Sequence, residues 1–186
     1  MRMFQRFSPL ARLLGWLYRL GNEFTTITGG WVASAWSGNT AIWTGVAPGL
    51  TKEAAALKID MTNTYSAGKS GVVGIANLVN LTNATTLRIK ISYSLGGIDT
   101  PGSGRYQRLY LMVSDVTSGN WTSGTVYDAL SLLIEHGASS VATATDVVFT
   151  LPVDTLNGNY RVYLGLVWSY QNAASWVRIS EVELVP

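Results

Sequence analysis

At 186 residues the chain is long enough for one domain that buries roughly 70% of its unfolded surface. With no cysteine and one histidine, His136, it excludes disulfides, thiolate metal sites, a cysteine nucleophile and the usual multi-histidine metal centres. Charged residues make up 13% against 47% hydrophobic, a thin charged surface that points to cover by partners, and the net charge of +2 divides unevenly. Arg2, Arg6, Arg12 and Arg19 give residues 1–22 a charge of +4 with no acid, and the rest carries 9 basic against 11 acidic residues.

Ser8 and Pro9, then an apolar run to Leu20 and Gly21, have the punctuation of a helix over 9–20: an N-cap, a proline in the first turn and a terminating glycine. On its wheel Arg12, Gly15 and Arg19 form a narrow polar edge, and leucines and Trp16 cover the rest. The segment is too short to span a bilayer, and Arg19 interrupts it as a signal peptide. The wide apolar arc fits a docking arm whose interface is Arg12, Leu13, Trp16, Leu17 and Arg19, set against another protein or another copy of the chain. The domain organisation expected is therefore an arm, 1–22, followed by one β-domain, 23–186.

After Gly21 the chain turns to short β-prone runs divided by Gly, Ser, Thr, Asn and Asp, the pattern of an all-β sandwich. Ala55, Leu57, Ile59 and Met61 alternate with polar residues, as do Leu87, Ile89, Ile91, Tyr93 and Leu95, so each run has one core face and one wet face. Runs 72–78 and 109–113 are apolar on both parities and need cover on both faces, from the arm or a neighbouring subunit; this predicts a closed dimer or trimer. Residues 126–135 fit either strand or helix, with strand the favoured reading, and Val147, Phe149 and Leu151 alternate. In 158–170, Tyr160, Val162, Leu164, Leu166 and Trp168 recur at every second position, leaving Arg161 and Ser169 opposite, a half-buried strand. In 175–186 the apolar phase slips by one residue near Ser180 and Glu181, as at a β-bulge. Three loops separate these strands, 96–104, 117–125 and 137–144; the first, rich in glycine, is expected to be mobile and little buried. The strand number and lengths suit a two-sheet jelly-roll sandwich with a short N-terminal helical arm.

The candidate ligand-binding residues are aromatic rings in polar loops, able to stack on sugar faces: Trp121 in SGNWTSG first, then Tyr65 in TNTYSAG and Tyr170 before Gln171. The same rings would equally fold over the sandwich ends or sit in a subunit interface. Trp31, Trp36 and Trp43 have no basic residue between them, which argues against a nucleic-acid stacking platform. Asp115, Asp128 and Glu135 show no spacing that sets two carboxylates across a cleft. Glu135 and His136 are adjacent on a strand and point to opposite faces, so they do not act as a pair. No phosphate loop or G-x-S-x-G elbow is present.

The stretch LYRLGNEFTTITGGW, 17–31, resembles the lead-in of virion-associated proteins of tailed bacteriophages, where a short N-terminal piece precedes a jelly roll. The ending VRISEVELVP, 177–186, is similar to the last strand of galactose-binding-like jelly rolls in carbohydrate-binding modules and phage appendages. The resemblance covers, in these two stretches together, 25 of the 186 residues. It implies a non-enzymatic virion structural protein, in head, connector or tail, without cofactor or metal, that binds other virion proteins. The alternative it implies is a carbohydrate-binding module serving as a host-surface adhesin. No functional residue carries over by position.

Overall fold

The computed structural model describes residues 18–19, 31–35, 44–53, 56–61, 68–75, 78–98, 101, 105–115, 128–169, 171 and 173–186. They form thirteen strands: β1 (Tyr18–Arg19), β2 (Trp31–Ala35), β3 (Thr44–Gly45), β4 (Gly49–Lys52), β5 (Leu57–Met61), β6 (Lys69–Ile75), β7 (Val79–Asn80), β8 (Thr86–Leu95), β9 (Gln107–Ser114), β10 (Ala129–His136), β11 (Ala142–Pro152), β12 (Asn159–Trp168) and β13 (Ser175–Val185). The first sheet runs β11-β8-β13-β5-β4 with β1 on β13; the second runs β10-β9-β12-β6-β2 with β3 on β6 and β7 on β12. All pairings are antiparallel except β3 with β6. This is the expected two-sheet jelly-roll sandwich.

The core lies between the sheets because each strand turns its period-2 apolar face inward. From the first sheet come Leu57, Ile59, Leu87, Ile89, Ile91, Val177, Ile179, Val182 and Leu184. The second sheet supplies Val73, Leu109, Leu111, Val113, Val162, Leu164, Leu166 and Trp168, the last with no exposed surface. The phase slip read at Ser180 is a bulge: Ile179 faces Ile91 and Glu181 faces Lys90, with Ser180 Oγ donating to the Lys90 carbonyl at 3.2 Å. A second extra residue enters β11 on the other side of β8, between Ala144 and Val147. There Asp146 takes φ 54 and its N–H donates to Ser92 Oγ at 3.0 Å.

Several expectations are corrected. Tyr18 and Arg19, expected as the end of a helix, are extended and pair with Leu184 and Glu183, because β13 runs past the end of β5 and leaves main-chain groups to satisfy. The remainder of the predicted helix lies outside the described residues, Arg12, Leu13, Trp16 and Leu17 included. β12 is not half-buried: Val162 through Trp168 are all buried, since Tyr163 and Val167 join Val72 and Met112 in a second apolar cluster on the far side of the sheet. Val72, Val73, Leu109, Leu111, Met112 and Val113 are thus buried within one chain without a neighbouring subunit, whereas Ile75 and Tyr110 are half-buried and Leu78 is exposed. The first loop opens with Gly96, Gly97 and Ile98 buried, and the third gives way to strand at Ala142.

Gly96 is held by a buried polar knot where the two sheets meet. Ser175 Oγ accepts its N–H at 2.8 Å and donates to Gln107 Oε1 at 2.8 Å, and Gln107 Nε2 donates back to the Gly96 carbonyl. Gln171 Nε2 donates to Gln107 Oε1 at 2.9 Å and Ser175 Oγ at 2.7 Å. A Cβ on residue 96 would lie 2.3 Å from the Ala173 carbonyl oxygen, so only glycine lets the two connections close on each other.

Candidate functional site

On β9 and the residue just before it, Tyr106, Arg108 and Tyr110 are spaced by two and so share the outer face of the second sheet, with the two tyrosines about 14 Å apart along the strand. Both tyrosines are half-buried, packed against the cluster of Val72, Met112, Tyr163 and Val167. Ser169 clamps the first of them: its Oγ accepts the Tyr106 N–H at 3.1 Å and donates to the Tyr106 carbonyl at 3.2 Å.

The Arg108 guanidinium carbon lies 3.7 Å from the Tyr106 ring centroid, and its Nε donates to Glu135 Oε2. Burial works against the Arg108 charge, but hydrogen bonds to Glu135 and Tyr110 outweigh it and hold the group above its ordinary pKa. Glu135 reaches this face through a register shift in β10. Leu132 faces Tyr110 and Ile134 faces Leu109, so the extra residue turns Glu135 outward opposite Arg108 and His136 inward opposite Gln107. His136 is buried, with Nε2 2.8 Å from the Ser140 carbonyl, so the two neighbours do point apart as the sequence predicts. Beside the tyrosines, Leu130 and Leu132 are 49% and 47% exposed, which extends the apolar strip to the sheet edge.

The surface so built sets two partly exposed tyrosines beside a guanidinium and a carboxylate, a combination suited to a polyol with apolar ring faces. Of the three acids weighed in the sequence, Glu135 stands apart from the other two. Asp128 Oδ2 accepts the Asp115 N–H at 2.6 Å and closes the β9–β10 connection, whereas Glu135 sits beside Arg108, about 24 Å away along β9. Among the described residues no group of three or more His, Asp or Glu is placed to hold a metal ion.

Trp121, Tyr65 and Tyr170 lie outside the described residues. Their anchors leave the second sheet at two different ends. Ser169 and the start of β6 at Lys69 stand at the Tyr106 end, since Lys69 faces Trp168. Asp115 and Asp128, which bracket the Trp121 loop, stand at the other end. The sequence reading passed over Tyr106, Arg108 and Tyr110, although their shared parity in YQRLY was the available signal.

No known protein family matches the chain, and no characterised protein matches it in sequence. Among solved structures it is similar to a family 29 carbohydrate-binding module at 10% identity, with a TM-score of 0.46, over 92% of this chain and 88% of the other. It is similar also to a carbohydrate-binding module of specific mannan recognition, at 12% identity and a TM-score of 0.48, over 91% of this chain and 98% of the other. The cleaved adhesin domain K1 of Lys-gingipain from Porphyromonas gingivalis W83 matches at 11% identity and a TM-score of 0.46, over 91% and 98% of the two chains. These neighbours are carbohydrate-binding modules and an adhesin domain, none identified as a virion protein, and at such identities the likeness says nothing of what this chain binds.

Proposed function

We propose that the protein is a non-catalytic carbohydrate-binding β-sandwich whose binding surface is the outer face of the second sheet. The observation that carries this reading is the Tyr106–Arg108–Tyr110 stripe completed by Glu135: rings packed against an apolar cluster, and hydrogen-bonding groups of both kinds beside them. Tyr106→Ala and Tyr110→Ala are each expected to weaken binding of a neutral oligosaccharide about tenfold in isothermal titration. Affinity and number of sites both unchanged in the double variant overturn the reading.

On this reading the resemblance of residues 17–31 to phage lead-ins supplies the setting: a virion surface, where glycan binding would attach the particle to its host while other virion proteins hold the domain. Antibody labelling of purified particles tests that placement, and absence of label removes it without touching the glycan reading. The dimer or trimer expected from composition now has Leu130 and Leu132 at the sheet edge as its support, to be tested by sedimentation.

A further inference from the structure

The construction at Tyr106 recurs on the opposite side of the sandwich. On β13, Trp176 and Arg178 are spaced by two on the outer face of the first sheet, and the Arg178 guanidinium carbon lies 4.1 Å from the Trp176 ring. A carboxylate from another part of the chain again fixes the arginine: Nε donates to Glu53 Oε2 at 2.6 Å and Nη2 to Glu53 Oε1 at 3.1 Å. The order is the same in both places, with an aromatic residue at i, arginine at i+2 and an acid on a neighbouring segment.

What surrounds the ring differs from what surrounds an ordinary packed tryptophan. Trp176 is half-buried, and its neighbours across the sheet are Asp60 and Ser94, with Gly49 beyond the first and Thr143 beyond the second. Arg178 faces Lys58 and Ser92. The row thus sets one large, half-buried ring among small or polar residues.

Charge selects the ligand class. Lys58 pairs with Asp60 at 2.6 Å, Arg88 with Glu183 at 3.6 Å and Lys90 with Asp146 at 3.6 Å, and Arg178 is taken by Glu53. With these cations balanced locally, the face offers an anion or a nucleic-acid backbone little field, yet it offers many donors and acceptors to neutral hydroxyls.

We propose that Trp176, Arg178 and Glu53 form a second carbohydrate-binding site, for a neutral oligosaccharide, which makes the domain bivalent. This rests on the reading of the first site as a glycan surface. Because the two sites occupy the outer faces of sheets packed about 10 Å apart, one short oligosaccharide cannot fill both, and each domain links two glycan chains.

Isothermal titration with mannohexaose and with cellohexaose tests this, alongside precipitation of soluble mannan. The wild-type protein is expected to bind two hexasaccharides of one kind per chain. Trp176→Ala and the double variant Tyr106→Ala/Tyr110→Ala are each expected to bind one, and the triple variant none. Trp176→Phe, which keeps a ring, is expected to retain both, and mannan is expected to precipitate with wild type and Trp176→Phe but with neither single-site variant. A stoichiometry of one that is lost in the tyrosine variant and unaffected by Trp176→Ala overturns the second site and leaves the first. A stoichiometry of one lost only in Trp176→Ala overturns bivalency and the first site together. Binding of neither hexasaccharide also overturns the proposal.

Discussion

The two sheets turn equally apolar faces to one another and different faces outward. Along β8 the outward positions are Arg88, Lys90, Ser92 and Ser94, and along β13 they include Trp176, Arg178 and Glu183. On the second sheet Val72, Met112, Tyr163 and Val167 hold the corresponding positions, and all are buried. One outer face meets water through cross-strand ion pairs; the other is a second small core. The lesson is that a residue's place on the outside of a sandwich does not by itself set what its removal costs.

Substitutions can break this comparison. The reference is Trp168→Ala in the central core, expected to cost about 3–5 kcal/mol, read as a drop in the urea midpoint. Tyr163→Ala on the outer side of the second sheet is expected to approach that figure, at about 3 kcal/mol, because the ring is only 2% exposed. If it costs below about 1 kcal/mol, the outer cluster is not a core and the comparison fails.

Gly96→Ala comes next, at about 1–3 kcal/mol, from overlap with the Ala173 carbonyl. It perturbs the knot between the sheets and neither outer face, so it should leave glycan affinity unchanged in titration. Lys90→Met on the outer side of the first sheet should cost no more than about 1 kcal/mol, since its pair with Asp146 is exposed. A double-mutant cycle of Lys90 and Asp146 with coupling well above that would show that the wet face is held by its charges.

The wet sheet was the more legible in sequence. The alternation in 87–95 maps onto β8, and the slip at Ser180 onto an actual bulge, because polar residues on one parity make a change of phase visible. β12 was read as half-buried since its regular parity, Val162 to Trp168, overshadowed Tyr163 and Val167 on the other. In β10 the run from Leu130 to Ile134 is apolar on nearly every position, so the shift that carries Glu135 outward left no trace. Partners from afar were beyond any spacing rule: Glu53 lies 125 residues from Arg178, and only the fold brings them together. The helix punctuation at Ser8, Pro9 and Gly21 was a local signal, and at Tyr18 and Arg19 the open flank of β13 overrides it.

The two extra residues that flank β8 bear on how the chain finds its structure. Ser180 is pegged to the Lys90 carbonyl and the Asp146 amide to Ser92, from strands on opposite sides, with Ser180 and Lys90 separated by 90 residues of chain. Sliding β13 by one position would expel Val177 and Ile179 to water and pull Arg178 inward, and it would also unseat the peg. The search for this alignment is long, as for any topology dominated by distant pairings. It nevertheless has a single answer, so refolding is expected to be slow and to end in one strand register.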